Sequence, residues 1–163
     1  LRLRFPDLHL VVAGEPESQD PIPTATLEGL SSDVRIHLVG WWRDMPLLYS
    51  ASDIVVLPSY REGFSNVLLE AAAMGLPSVA TRVPGCTDAV VDGVTGTLVP
   101  PYDSAALASA IARYITEPEL REQHGAAGRV RAMRDFQPEV IYEDVHRCYC
   151  DLLLASVRTK ATG

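Results

Sequence analysis

The chain has 163 residues, enough for one domain of ordinary size or two very small ones. Hydrophobic residues make up 47% and charged residues 21%, so the chain can bury a core and is no disordered tail. Its 21 acidic and 14 basic residues leave a formal charge of -7, which argues against gripping nucleic acid or an anionic membrane through bulk positive charge.

The opening Leu1-Arg2-Leu3-Arg4 reads as the tail of a helix running into Phe5-Pro6-Asp7, and with no initial Met the chain reads as a piece of a longer protein. Short β-branched, apolar runs at 8–13, 36–39, 54–57, 78–81 and 97–99 then alternate with helical patterns. That alternation predicts βα units and a doubly wound, Rossmann-like parallel sheet of the α/β class. Several runs are apolar on consecutive positions, as in strands covered on both faces. Turn and breaker chemistry follows each one: Gly14-Glu15-Pro16, Gly40, Pro58-Ser59, Arg82-Val83-Pro84-Gly85 and Pro100-Pro101. In such sheets ligands gather beyond the carboxyl ends of the strands, where these loops lie.

Helices are predicted at 44–51, 65–74, 104–116, 118–133 and 138–157, with Asp44 and Ser65 as caps for the first two. Pro118 and Pro138 sit where a first helical turn tolerates proline. Ile141, Val145, Cys148 and Leu152 recur at helical spacing, so one face of the last helix is expected to pack. Residues 15–33, with three prolines and several Ser and Thr, read as irregular. Cys86, Cys148 and Cys150 are too few and too badly spaced for a disulfide scaffold or a zinc site, which points to a reducing, cytoplasmic setting.

The segment from Ser59 to Glu70 is the richest in chemistry. It follows an apolar strand and opens a helix, so Gly63 and the next residues present backbone N–H groups, a ready anion site. Within 65–74 the polar side chains past the cap are Asn66 and Glu70, four apart on one stripe; apolar residues elsewhere predict a helix packed on most sides. A carboxylate there needs donors. Two adjacent sugar hydroxyls would serve, as would an arginine or water. His9 and His37 read as structural strand residues, and His124 and His146 show no ligand set for a metal. Trp41-Trp42 can stack on a base or pack, and Arg61 and Arg82 lie at the right sheet end for phosphate. No Asp-x-Asp pair occurs, so a metal-bridged diphosphate is unsupported; no metal and no cofactor is expected, a nucleotide-sugar counting as substrate.

Glu62 and Glu70 form Glu-x7-Glu within SDIVVLPSYREGFSNVLLEAAAMGLPSVAT, a segment that strongly resembles retaining glycosyltransferases of family four. The resemblance is to the carboxy-terminal, nucleotide-sugar-binding half of their two-domain GT-B architecture and spans nearly all of residues 1–163. FPDLHLVVAGEP resembles the family's second strand, RIHLVGWWRDMPLLYSASD its base-binding turn and helix, and VPGCTDAVVDGVTGTLVPPYDSAAL its loop and final strand. It implies that Glu62 holds donor-sugar hydroxyls, that amides around Gly63, Phe64, Ser65 and Asn66 contact sugar and diphosphate, and that Glu70 binds the ribose. Gly14, Gly40, Trp41, Trp42 and Arg43 would line the base. Where the family has Gly-Gly and then Glu, this chain has Pro84-Gly85 and Asp88, which leaves that loop's role open.

The resemblance further implies a nucleotide-sugar donor, UDP-linked, and retention of configuration in bacterial surface polysaccharide or O-antigen assembly. A glycan or lipid-linked acceptor would sit on an amino-terminal domain outside the chain, with peripheral association at the inner face of the cell membrane open to the parent. It also places the domain's first strand before Leu1, between the runs at 8–13 and 54–57. Those two should then show a gap or pair directly, and the fragment alone should be inactive. The rival readings are a GT-B nucleotide-sugar epimerase, a sugar phosphate synthase and a non-catalytic nucleotide-binding module.

Overall fold

The computed structural model describes residues 1–16 and 21–161. They form two compact units, one from Leu1 to Ala51 and one from Ser52 onward.

In the first unit β1 (Leu10–Ala13) lies parallel to β2 (Ile36–Gly40), joined through α1 (Thr24–Ser31) and followed by α2 (Met45–Ser50). Leu10 pairs with Ile36, and the register slips between Val12 and Ala13 so that Ala13 meets Gly40. The expected irregular stretch is corrected here, because it contains α1; its residues 17–20 lie outside the described ones. Pro23 sits at the N-cap, where a proline costs nothing because the first helical amides have no intrahelical acceptor. α2 starts as expected, with the Asp44 carboxylate accepting the Leu47 N–H at 3.1 Å. The opening residues make one turn, the Phe5 N–H donating to the Leu1 carbonyl at 2.9 Å. Asp33 gathers Arg35 and Arg2, and these guanidinium bonds hold its carboxyl well below the usual carboxylate range.

The second unit is built on a parallel sheet of order β3 (Val55–Leu57), β4 (Ser78–Thr81), β5 (Gly96–Val99). β4 is buried along its whole length, and its side chains divide between two faces. Val79 joins Val99 and, from α5 (Ser104–Thr116), Ala110 and Tyr114. Ala80 joins Leu98, Leu68 of α3 (Asn66–Ala73), and Cys86 and Ala89 of α4 (Pro84–Ala89). Helices therefore cover both faces of this sheet, which is why the sequence of β4 does not alternate.

α6 (Pro118–Asp135) runs against α3, and Gly125 makes the approach possible: a Cβ there would stand 2.0 Å from the Gly75 carbonyl oxygen. The sequence pattern marks Pro84-Gly85 as breaker chemistry rather than a helix. Pro84 instead occupies a first-turn position, where proline is pre-set for a helix. α7 (Pro138–Ala161) is the last described element, and its expected packing face is a correction too. Ile141, Val145, Cys148 and Leu152 are all exposed, because nothing among the described residues lies over the stripe that their spacing records. No helix among the described residues is long and apolar enough to cross a membrane.

β1 is paired with no strand but β2, and β3 with none but β4, among the described residues.

Candidate functional site

The carboxyl end of β3 leads into the turn from Ser59 to Ser65, and neighbouring elements fix that turn at several points. The Thr81 hydroxyl, at the end of β4, donates to the Ser59 carbonyl. The Ser59 hydroxyl in turn reaches the half-buried Glu62 carboxylate at 3.4 Å. From the other side the Gly85 N–H of α4 donates to the Glu62 carbonyl at 3.2 Å. Gly85 has to be glycine on steric grounds. A Cβ would lie 2.6 Å from the Gly63 carbonyl oxygen and 2.7 Å from that of Glu62. The departure at Pro84-Gly85 thus has a structural role: α4 presses its first turn onto the backbone of Glu62 and Gly63.

Ser65 closes the turn and opens α3, its buried hydroxyl accepting the Leu68 N–H at 3.4 Å. α3 ends at Gly75, which takes the left-handed conformation at φ 76° that a side chain would resist. Leu68 and Ala71 are buried, whereas Asn66, Val67, Glu70 and Met74 are exposed. This corrects the expectation of a helix packed on most sides. Positions 66, 70 and 74 fall on one stripe, and it faces solvent with Glu70 accessible on it. Beneath the turn lies Cys86, fully buried, whose thiol is pushed above its usual range by burial and then by the negative charge of Glu62. Thr81, Gly85 and Cys86 belong to the setting of Glu62, and sequence spacing gave no signal for Thr81 or Cys86.

The first unit brings its own expected residues together. The Gly14 N–H donates to the Gly40 carbonyl at 2.8 Å where β1 and β2 end. Both glycines have positive φ, 116° and 61°, so the chain turns sharply away from the sheet at each. Trp41 follows and is 77% exposed, so it does not pack as an aromatic after a strand usually would. Trp42 donates its ring N–H to the Asp44 carbonyl at 3.0 Å, and Arg43 is exposed.

Arg82 is committed elsewhere: it pairs with Asp92 at 2.5 Å and donates to the Leu98 carbonyl at 3.2 Å. Arg61 is exposed beside Glu62. His9 and His37 stack and share a 2.9 Å hydrogen bond, as structural strand-end residues can. His124 is buried against the Tyr114 hydroxyl at 2.7 Å, and that hydroxyl also meets Thr97 at 3.1 Å. Burial, with the positive charge of Arg113 behind it, holds the His124 imidazole below its ordinary value. His146 does have a cysteine one turn on: Cys150 lies 3.8 Å away, both exposed. Among the described residues no group of three or more His, Cys, Asp or Glu side chains is placed to hold a metal ion.

The arrangement in the second unit is a turn tied to β4 and α4 that sets a carboxylate beside the amides of a helix start, groups able to meet hydroxyls and an anion. Known proteins share both the sequence and this fold. A family model described as glycosyl transferases group 1 matches residues 1–131. The capsular polysaccharide biosynthesis glycosyltransferase CapM of Staphylococcus aureus is 33% identical over 150 residues, 92% of this chain and 40% of its own. The chain thus spans well under half the length of that relative. Sucrose-phosphate synthase from Thermosynechococcus elongatus superposes with a TM-score of 0.77 at 35% identity, over 90% of this chain and 39% of that one. Anabaena Alr3699/HepE, solved in complex with UDP, gives a TM-score of 0.80 at 26% identity over 90% and 42%. A model match over four-fifths of the chain settles the family, and the chain belongs to the glycosyl transferases group 1 proteins.

Proposed function

We propose that the protein carrying this chain transfers a sugar from a UDP-linked donor with retention of configuration, as family four glycosyltransferases do, in bacterial surface polysaccharide or O-antigen assembly. The chain is its carboxy-terminal, donor-binding half. Glu62 holds donor-sugar hydroxyls, the amides of Gly63 to Asn66 meet sugar and diphosphate, and Glu70 binds the ribose. Gly14, Gly40, Trp41, Trp42 and Arg43 receive the base. The observation that carries this reading is the fixed Glu62 turn at the start of α3, with Glu70 accessible on the same helix. The capsular-polysaccharide relative and the UDP-bound neighbour support the product class and the nucleotide. No metal is required in this scheme, because a helix start and cationic side chains meet the leaving diphosphate.

Two carboxylate variants of the full-length protein test the assignment. Glu70→Ala is expected to weaken UDP binding by about 1–3 kcal/mol, the worth of a charge-assisted hydrogen bond. Glu62→Gln should lower transfer far more than UDP affinity, since its ligand is the sugar. Unchanged UDP affinity in Glu70→Ala removes that residue from the site, and equal losses in Glu62→Gln make it a loop-shaping residue. The likeness to sucrose-phosphate synthase favours a second reading, transfer to a sugar phosphate. The donor half would be the same, and the identity of the glycosylated product separates the two.

A further inference from the structure

The Glu62 turn is gripped from a third side, by the end of α6, and this contact plays no part in the donor assignments above. Phe64 in the turn lies against Phe136, the residue that caps α6, with ring centroids 5.8 Å apart and planes tilted by 47°. The guanidinium of Arg131, one turn earlier on α6, sits 4.9 Å above the Phe136 ring. The same guanidinium donates to the Ala89 carbonyl at 2.5 Å and the Asp88 carbonyl at 2.8 Å. Those are the last carbonyls of α4, which a helix leaves without internal partners and which carry its negative end. α4 in turn holds Glu62 through Gly85 at its other end. Asp135, 3.8 Å away, completes the charge balance around Arg131.

These contacts form a closed circuit: Glu62–Gly63 to Gly85, along α4 to Asp88 and Ala89, across Arg131 to Phe136, and back to Phe64. We infer that Arg131 and Phe136 are positioning residues for Glu62, setting its carboxylate and the Gly63–Asn66 amides without touching the ligand. The role of Asp88 in this circuit is its carbonyl. A planar guanidinium suits the task because it spans two adjacent carbonyls and stacks on a ring at once, which a lysine cannot do. Placement matters at this scale, since a shift of about 1 Å at a reacting centre can cost on the order of a hundredfold in rate.

The inference rests on the donor assignment for its effect on transfer, so the experiment has one arm that does not. In the full-length protein, hydrogen exchange at the Gly85 amide, which donates to the Glu62 carbonyl, is measured for wild type, Arg131→Lys, Phe136→Leu and Phe136→Tyr. Arg131→Lys and Phe136→Leu should exchange faster there, with helices α3 and α5 unchanged, and Phe136→Tyr should match wild type. Unchanged exchange overturns the clamp, whatever ligand the site takes. The second arm measures transfer from a UDP-sugar and affinity for UDP. Arg131→Lys and Phe136→Leu should lower kcat about tenfold or more with UDP affinity held within about twofold, and Phe136→Tyr should restore kcat. Parallel losses in both measures, or normal turnover with a loosened turn, overturn the positioning role. Failure of wild type to bind UDP strikes the donor assignment instead, and the exchange arm still decides the clamp.

Discussion

Each of the two units has a glycine-bearing turn at the end of its parallel strands, yet the turns are held in different ways. In the second unit β4 is buried on both faces, and the Glu62 turn rests on α4, on Thr81 and on the end of α6. In the first unit β1 is exposed along its length, Leu10, Val11 and Val12 retaining 44%, 40% and 37% of their surface. The turn at Gly14 and Gly40 is fixed by one backbone hydrogen bond and by the left-handed backbone itself. Precision in the second unit comes from packing and in the first from conformational preference. Under the proposed roles, a reacting sugar would meet fixed groups and a flat base an exposed surface such as Trp41.

Four substitutions would break or sharpen this contrast. The largest effect is expected from Gly125→Ala, whose Cβ would meet the Gly75 carbonyl oxygen at 2.0 Å. Separating α6 from α3 should cost about 3 kcal/mol or more, read as a fall in the denaturant midpoint. Leu68→Ala should cost about 2–5 kcal/mol because Leu68 is 1% exposed in the core under the turn. The matching test, Val11→Ala in β1, should cost under about 1 kcal/mol. Equal losses for Leu68→Ala and Val11→Ala would end the distinction between the units. Gly40→Ala, at φ 61° with no atom near the added Cβ, should cost about 1–2 kcal/mol by backbone strain alone.

The smallest effect is one of pH and belongs to the second unit. Burial first and then the positive charge of Arg113 lower the pKa of folded His124, whereas the unfolded side chain titrates at about 6.5. The unfolded chain therefore binds the extra proton as the pH falls. His124's contribution is complete above about pH 6.5 and is lost below it. Melting should shift downward between about pH 7.5 and 5.5, and the shift should shrink in His124→Gln. An identical pH dependence in that variant would show that other groups dominate acid unfolding.

Much of this architecture was legible because it is written in local chemistry. The β-branched run at 78–81 and the Ser65 and Gly75 boundaries of α3 all correspond to observed features. The misses share one cause: the same residue means different things in different settings. Pro84 reads as a breaker and Pro23 as part of an irregular stretch, yet each opens a helix, because proline is tolerated where the first amides have no intrahelical acceptor. Gly85 looked like turn chemistry, but its reason is a backbone approach from residues 62 and 63, more than twenty positions away. Glu70 illustrates the opposite limit. Its apolar neighbours implied enclosure, but Val67 and Met74 share its solvent-facing side, and composition alone does not say which side the sheet takes. For the site itself, Glu62 and Gly63 stood out by motif, whereas Thr81, Arg131 and Phe136 enter through long-range contacts that no spacing encodes.

The three thiols report on the two kinds of environment in one molecule. Cys148 and Cys150 lie exposed on α7, and Cys86 is sealed beneath the Glu62 turn with its ionisation suppressed. A thiol reagent should therefore modify the first two within its ordinary reaction time and reach the third only through transient opening of the second unit. With Cys148 and Cys150 replaced by serine, the labelling rate of Cys86 becomes a clock for that opening. The clock should slow when ligand occupies the turn, giving a binding assay that needs neither turnover nor a known acceptor.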